Sequence, residues 1–124
     1  MHSRMVQLLM SATSLLMATN ASQLFIGGYG GWITSANLNT DGAITEVSAN
    51  NQSLPAPSWQ EVSANGNILY TIEEQHDDDW QVGAVTSYSI ASNGALNKIQ
   101  SATGLGGPVS LTISPDQSVI FTAS

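Results

Sequence analysis

The sequence predicts an all-β protein whose short antiparallel strands are organised as a repeat. Three observations carry that expectation. A shift of 51 residues brings Pro57-Ser58-Trp59, with Val62-Ser63-Ala64-Asn65-Gly66-Asn67-Ile68-Leu69-Tyr70-Thr71, onto Pro108-Val109-Ser110, with Ile113-Ser114-Pro115-Asp116-Gln117-Ser118-Val119-Ile120-Phe121-Thr122. A shift of 52 brings Ile33-Thr34-Ser35-Ala36-Asn37-Leu38, with Asp41-Gly42-Ala43-Ile44, onto Val85-Thr86-Ser87-Tyr88-Ser89-Ile90, with Asn93-Gly94-Ala95-Leu96. After residue 22 no segment sustains a helical period, and strand-like runs are separated by Gly-containing turns. Repeats of ~40–50 residues built from short strands point to the blades of a β-propeller.

Each element follows from local chemistry. Leu24-Phe25-Ile26 is a strand that runs into the turn Gly27-Gly28-Tyr29-Gly30-Gly31. Trp32, Thr34, Ala36 and Leu38 alternate with Ile33, Ser35 and Asn37, and Thr40-Asp41-Gly42 turns the chain into a return strand over Ile44 to Val47. Trp59 to Ser63 and Asn67 to Ile72 are two strands joined by Ala64-Asn65-Gly66. Ile68-Leu69-Tyr70-Thr71-Ile72 is almost continuously apolar, the pattern of a strand covered on both faces. Val82, Ala84, Thr86, Tyr88 and Ile90 form one face of a third strand, and Ser92-Asn93-Gly94 leads into a fourth, Ala95 to Ser101.

The strand count predicts a partial β-propeller. Residues 57–102 supply one complete four-stranded blade, residues 22–50 strands two to four of a preceding blade, and residues 107–124 strands one and two of a following blade. One complete and two incomplete blades fall short of the ~4 that close a ring. The expectation is therefore a fragment, a shortened product, or a chain whose partners are the missing blades of the same propeller.

Residues 1–21 read differently. A basic start with Arg4, an apolar middle over Val6 to Ala18 and a small or polar end at Thr19-Asn20-Ala21 describe a secretory signal peptide, too short to span a bilayer. The expected localisation is secreted, and the sequon Asn51-Gln52-Ser53 becomes a candidate glycosylation site. Beyond residue 21 the chain holds one cation, Lys98, against nine carboxylates. That balance argues against nucleic acid, and against membrane after signal cleavage, because both are bound by neutralising phosphates. With no cysteine there is no disulfide framework and no Cys-based metal site.

Leu24-Phe25-Ile26-Gly27-Gly28-Tyr29, Pro57-Ser58-Trp59 with Ile68-Leu69-Tyr70-Thr71-Ile72-Glu73-Glu74, and Gly107-Pro108 with Ser114-Pro115-Asp116 and Ile120-Phe121-Thr122-Ala123 resemble the opening of the lactonase-type seven-bladed propellers. That family includes 6-phosphogluconolactonases and 3-carboxy-cis,cis-muconate cyclases. The resemblance covers residues 24–124, making 22–124 the N-terminal portion of such a propeller. It implies that the N-terminal strands join a last blade whose inner strand comes from the C-terminus. It also implies a small-molecule lactone or carbohydrate-like ligand, hydrolysed or reversibly lactonised at the central channel, without a cofactor. Two positions carry over as candidate catalytic residues. Glu74 matches the family's Asn-Glu segment, with Glu73 departing from it, and Ser110 stands where the family usually has a channel-facing histidine.

Lactone opening needs a base-activated water and donors aimed at the developing oxyanion. Glu74 can hold or activate water, although a solvated loop carboxylate is the commoner reading of such a residue. Ser110 has no histidine in its own blade, and His76 belongs to another loop. Gln75-His76-Asp77-Asp78-Asp79-Trp80 lacks the alternate spacing of a cation loop, so a solvated acidic loop is favoured and no metal is assigned. Trp32 and Trp80 suit either a sugar-stacking rim or packing between blades. A phosphosugar would require Arg or Lys donors, which Lys98 alone does not supply. The alternative function is a non-catalytic extracellular propeller that binds a ligand or protein at its rim.

Overall fold

The computed structural model describes residues 22–50, 56–75 and 81–124. The expected signal segment, the Asn51 sequon and the run His76 to Trp80 lie outside these residues. The described chain forms nine strands: β1 (Ser22–Gly27), β2 (Ile33–Leu38), β3 (Ile44–Asn50), β4 (Pro57–Val62), β5 (Ile68–Glu73), β6 (Gly83–Ile90), β7 (Leu96–Leu105), β8 (Ser110–Ile113) and β9 (Ile120–Ala123). They make a three-stranded sheet β1-β2-β3, a four-stranded sheet β4-β5-β6-β7 and a two-stranded sheet β8-β9. All pairs are antiparallel neighbours in sequence. This is the expected partition into strands two to four, one to four, and one to two of successive blades.

The repeat is visible in hydrogen bonds as well as in sequence. In the β4–β5 turn, Ser63 N donates to Ile68 O and Gly66 N to Ser63 O, both at 2.8 Å. In the β8–β9 turn, Ser114 N donates to Val119 O and Gln117 N to Ser114 O, again at 2.8 Å. Gly66 has φ 74° and Gln117 φ 61°, so a glutamine occupies a left-handed position that suits glycine. The outer hairpins correspond in the same way, through Asn39 N to Ala43 O at 2.8 Å and Ala91 N to Ala95 O at 2.9 Å. Each outer strand also carries one extra residue at the same point of the repeat. Pairing passes from Ser35↔Ser48 to Ala36↔Glu46 in the first sheet, and from Ser87↔Gln100 to Tyr88↔Lys98 in the second. Val47 and Ile99 are the bulged residues, and Ile99 is 56% exposed.

Strands run longer than their local sequence signals. β3 continues to Asn50 because Ile33 at the start of β2 pairs with it, and β7 reaches Leu105 opposite Gly83. β4 begins at Pro57, where a proline is tolerated as the first residue of a strand.

Two seams hold the sheets together. Between the first and second, Ile33, Leu69, Tyr88 and Leu96 form the core, with Phe25 and Ile90 packed against it. Each large side chain so buried stabilises by about 1.5–3 kcal/mol. At its edges, Asn50 Nδ2 donates to Leu96 O at 2.9 Å and Gln23 Nε2 to Ser92 O at 3.4 Å. At the seam between the second and third sheets, Leu111 is buried, Ala64 N donates to Gln117 Oε1 at 2.9 Å, and Ile113 N to Glu61 Oε1 at 3.3 Å. β5 lies between the seams, and its central residues Leu69, Thr71 and Ile72 are inaccessible to solvent.

Gly83 marks the closest approach at that second seam. A Cβ there would collide with Pro108 Cδ and come within 2.6 Å of Glu73 O. Gly83→Ala is expected to destabilise the chain by about 1–3 kcal/mol in urea unfolding. The control Gly28→Ala, which meets nothing within 4 Å, is expected to leave the midpoint unchanged.

The β8–β9 turn supplies a pH signature. Asp116 Oδ1 accepts from Ser114 Oγ at 2.6 Å and from Ser118 Oγ at 2.8 Å. These bonds, the Ser114 one foremost, lower its pKa to about 2 from 3.8. The stabilisation of the turn is therefore fully present above about 3.8 and is lost as pH falls through about 2. The Ser118 amide resonance is expected to titrate with a midpoint near 2, and Asp116→Asn to abolish that step.

Candidate functional site

The register places Glu74 and Ser110 at one end of the sheets. Glu73 pairs with Pro57 at the start of β4, and Glu74 N donates to Ala56 O at 3.3 Å. Ala56 is buried and left-handed, with φ 65°, an uncommon conformation for a residue with a side chain. Ser110 opens β8 and pairs with Ala123 at the end of β9. β8 packs beside β4 and β5. The turns after β4 and β8 meet at the far end through Ala64 and Gln117, so the beginnings of the two inner strands share the near end. Antiparallel pairing thus delivers the end of one second strand and the start of the next first strand to a common edge.

Glu74 is partly buried, and it has a specific partner. The Tyr29 hydroxyl, in the turn between β1 and β2, donates to Glu74 Oε1 and Oε2 at 3.1 Å each. The carboxylate raises the Tyr29 pKa above 10.0, chiefly through this hydrogen bond and next through its charge. In the sequence residues 27–31 read only as a glycine turn, and this contact is not apparent there. The available signal was a single hydroxylated aromatic in a turn otherwise composed of glycine.

Glu73 goes elsewhere. Leu69, Thr71 and Glu73 share one face of β5 and enter the first seam, where Glu73 is inaccessible to solvent and its Oε2 accepts from Thr86 Oγ1 at 3.1 Å. Thr86 Oγ1 in turn shares a 2.7 Å bond with Ser101 Oγ. The two consecutive glutamates therefore divide, one inside a seam and one at the sheet end. Period-2 alternation in β5 already implied that division.

Ser110 lines a groove of about 240 Å³ with Trp59, Leu111, Phe121 and Ala123. Its surroundings are mainly apolar, and His76 lies outside the described residues. Among the described residues no three His, Asp or Glu side chains gather in a way that could hold a metal ion. Trp32 stands 50% exposed just before β2, while its proposed companion Trp80 lies outside the described residues.

The family model described as lactonase, 7-bladed beta-propeller, matches residues 16–124. A protein of Arthroderma benhamiae, assigned as a 6-phosphogluconolactonase, is 41% identical over 112 residues, covering 90% of this chain and 27% of that protein. The crystal structure of a protein from Bacteroides fragilis, also assigned as a 6-phosphogluconolactonase, superposes with a TM-score of 0.67 at 22% identity, over 83% of this chain and 29% of that one. The periplasmic gluconolactonase of Pseudomonas aeruginosa gives a TM-score of 0.68 at 21% identity, over 83% and 31%. The two structures share the fold, and this chain spans less than a third of each relative's length. By the extent of the family match and the closeness of the fungal relative, the chain belongs to the lactonase family of seven-bladed β-propellers.

Proposed function

We propose that this chain contributes to a secreted propeller that acts on a lactone, by hydrolysis or reversible lactonisation. The reading is supported by membership of the lactonase family, and the observation that carries its chemistry is the Glu74 carboxylate at the shared end of the sheets. In the hydrolytic direction Glu74 accepts a proton from water as the water oxygen attacks the ring carbonyl carbon. The resulting tetrahedral oxyanion collapses with cleavage of the ring C–O bond, and the alkoxide takes the proton back from Glu74 to leave a hydroxy acid and the carboxylate restored. Secretion is supported by the charge and hydropathy pattern of residues 1–21.

By themselves, residues 22–124 are not expected to hold a phosphorylated lactone. Residues 22–124 contain one lysine and no arginine, and Lys98 lies on β7 of the second sheet, with Glu74 following β5. These residues offer no charge-assisted clamp for a phosphate. A second reading, a non-catalytic propeller that binds its ligand at the rim, is favoured by Ser110, which stands where related propellers usually carry a histidine.

Assay of the full chain against gluconolactone and carboxymuconolactone panels distinguishes the readings. Glu74→Gln is expected to lower kcat/KM by roughly 10²–10⁴-fold, the usual contribution of a general base. Turnover indifferent to Glu74→Gln would remove that residue from the mechanism, whereas no turnover on any lactone would favour the binding module.

A further inference from the structure

Tyr29 and Glu74 are 45 residues apart in sequence and belong to different sheets, yet the phenol is centred on both carboxylate oxygens. The Glu74 carboxylate holds the phenol's proton above its ordinary range, because losing that proton would set two negative charges side by side. Tyr29 is therefore a donor to Glu74 across ordinary working pH.

The contact also solves a geometric problem. Glutamate has three side-chain torsions, and a base that must meet a water in one orientation loses rate when it wanders. Glu74 has its backbone tied to Ala56 and its carboxylate tied to Tyr29, so both ends of the residue are fixed. β1, β2 and the turn between them contain no Asp, Glu, Lys or Arg. Glu73 enters the seam toward Thr86, and Glu61 lies at the opposite end against Ile113.

Resting on the lactone reading above, we propose that Tyr29 is a positioning residue: the phenol of one sheet fixes the Glu74 carboxylate of the next. The base is then correctly placed only while those two sheets are docked. The composite site has its acceptor on one sheet and the group that orients it on the neighbour, so docking of the sheets and competence of the base become the same event.

The test uses the full chain labelled with 13C at the tyrosine ring carbon that bears the hydroxyl, titrated from about pH 8 to 12. The Tyr29 resonance is assigned by its loss in Tyr29→Phe. Its midpoint is expected to lie above 10.0 in the parent chain and to fall toward 10.0 in Glu74→Gln, which removes the charge beside it. The same midpoint in both would overturn the proposal. In the kinetic arm, Tyr29→Phe is expected to lower kcat/KM about tenfold, through kcat, as suits loss of one charge-assisted hydrogen bond. In a Glu74→Gln background the same change is expected to cost nothing further, and independent, additive losses would overturn the proposal. If the parent chain turns over no lactone while the Tyr29 midpoint shift is present, the lactone reading fails and the positioning contact stands on the titration.

Discussion

Between the first and second sheets, Leu69 and Tyr88 lose all contact with water against Ile33, while on the other face of β5 Ile72 is equally buried beside the third sheet. A strand covered on both sides cannot shift by one residue without exchanging its two faces. That would drive Glu73 out of its bond with Thr86 and bring Glu74 into an apolar seam. The double covering of β5 is thus what fixes the direction of every side chain at its C-terminal end, and the candidate site inherits its geometry from that constraint.

The seams differ in character, and the difference suits their roles. The first is chiefly apolar at its centre, with side-chain to backbone bonds at its edges from Asn50 and Gln23. The second relies on close backbone approach at Gly83 and on bonds from Glu61 and Gln117 to backbone amides. Gln117 adopts a left-handed backbone where the preceding repeat has glycine, and its amide oxygen meets Ala64 N. A locally unfavourable conformation is compensated by a contact that only a side chain can make.

The architecture was legible in the sequence because the repeat is written in turn residues and alternation, both local properties. Ser63 and Gly66, Asn39 and Gly42, Ala91 and Gly94 make corresponding hydrogen bonds, and the offsets of 51 and 52 residues align them. Strand ends were less legible, since Asn50 is held in β3 by its partner Ile33 rather than by its own propensity. At the candidate site, the shared end of Glu74 and Ser110 follows from the antiparallel pairing of their hairpins. The Tyr29 contact does not, because it joins two sheets whose relative placement no local signal encodes.

The single-residue bulges at Val47 and Ile99 have an effect that reaches the interior. Along β7, Leu96 opposite Ile90 and Ser101 opposite Thr86 lie on the same buried side, although their numbers differ in parity. The extra residue between them makes that possible. Without it, Gln100 would stand opposite Thr86, and the small hydroxyl that completes the Glu73–Thr86–Ser101 chain would face outward. In β3 the same device turns Asn50 rather than Ala49 toward the neighbouring sheet, where its amide meets Leu96 O. An irregularity on the outer rim, repeated once per blade, thereby selects which polar atoms are delivered to the joint between blades.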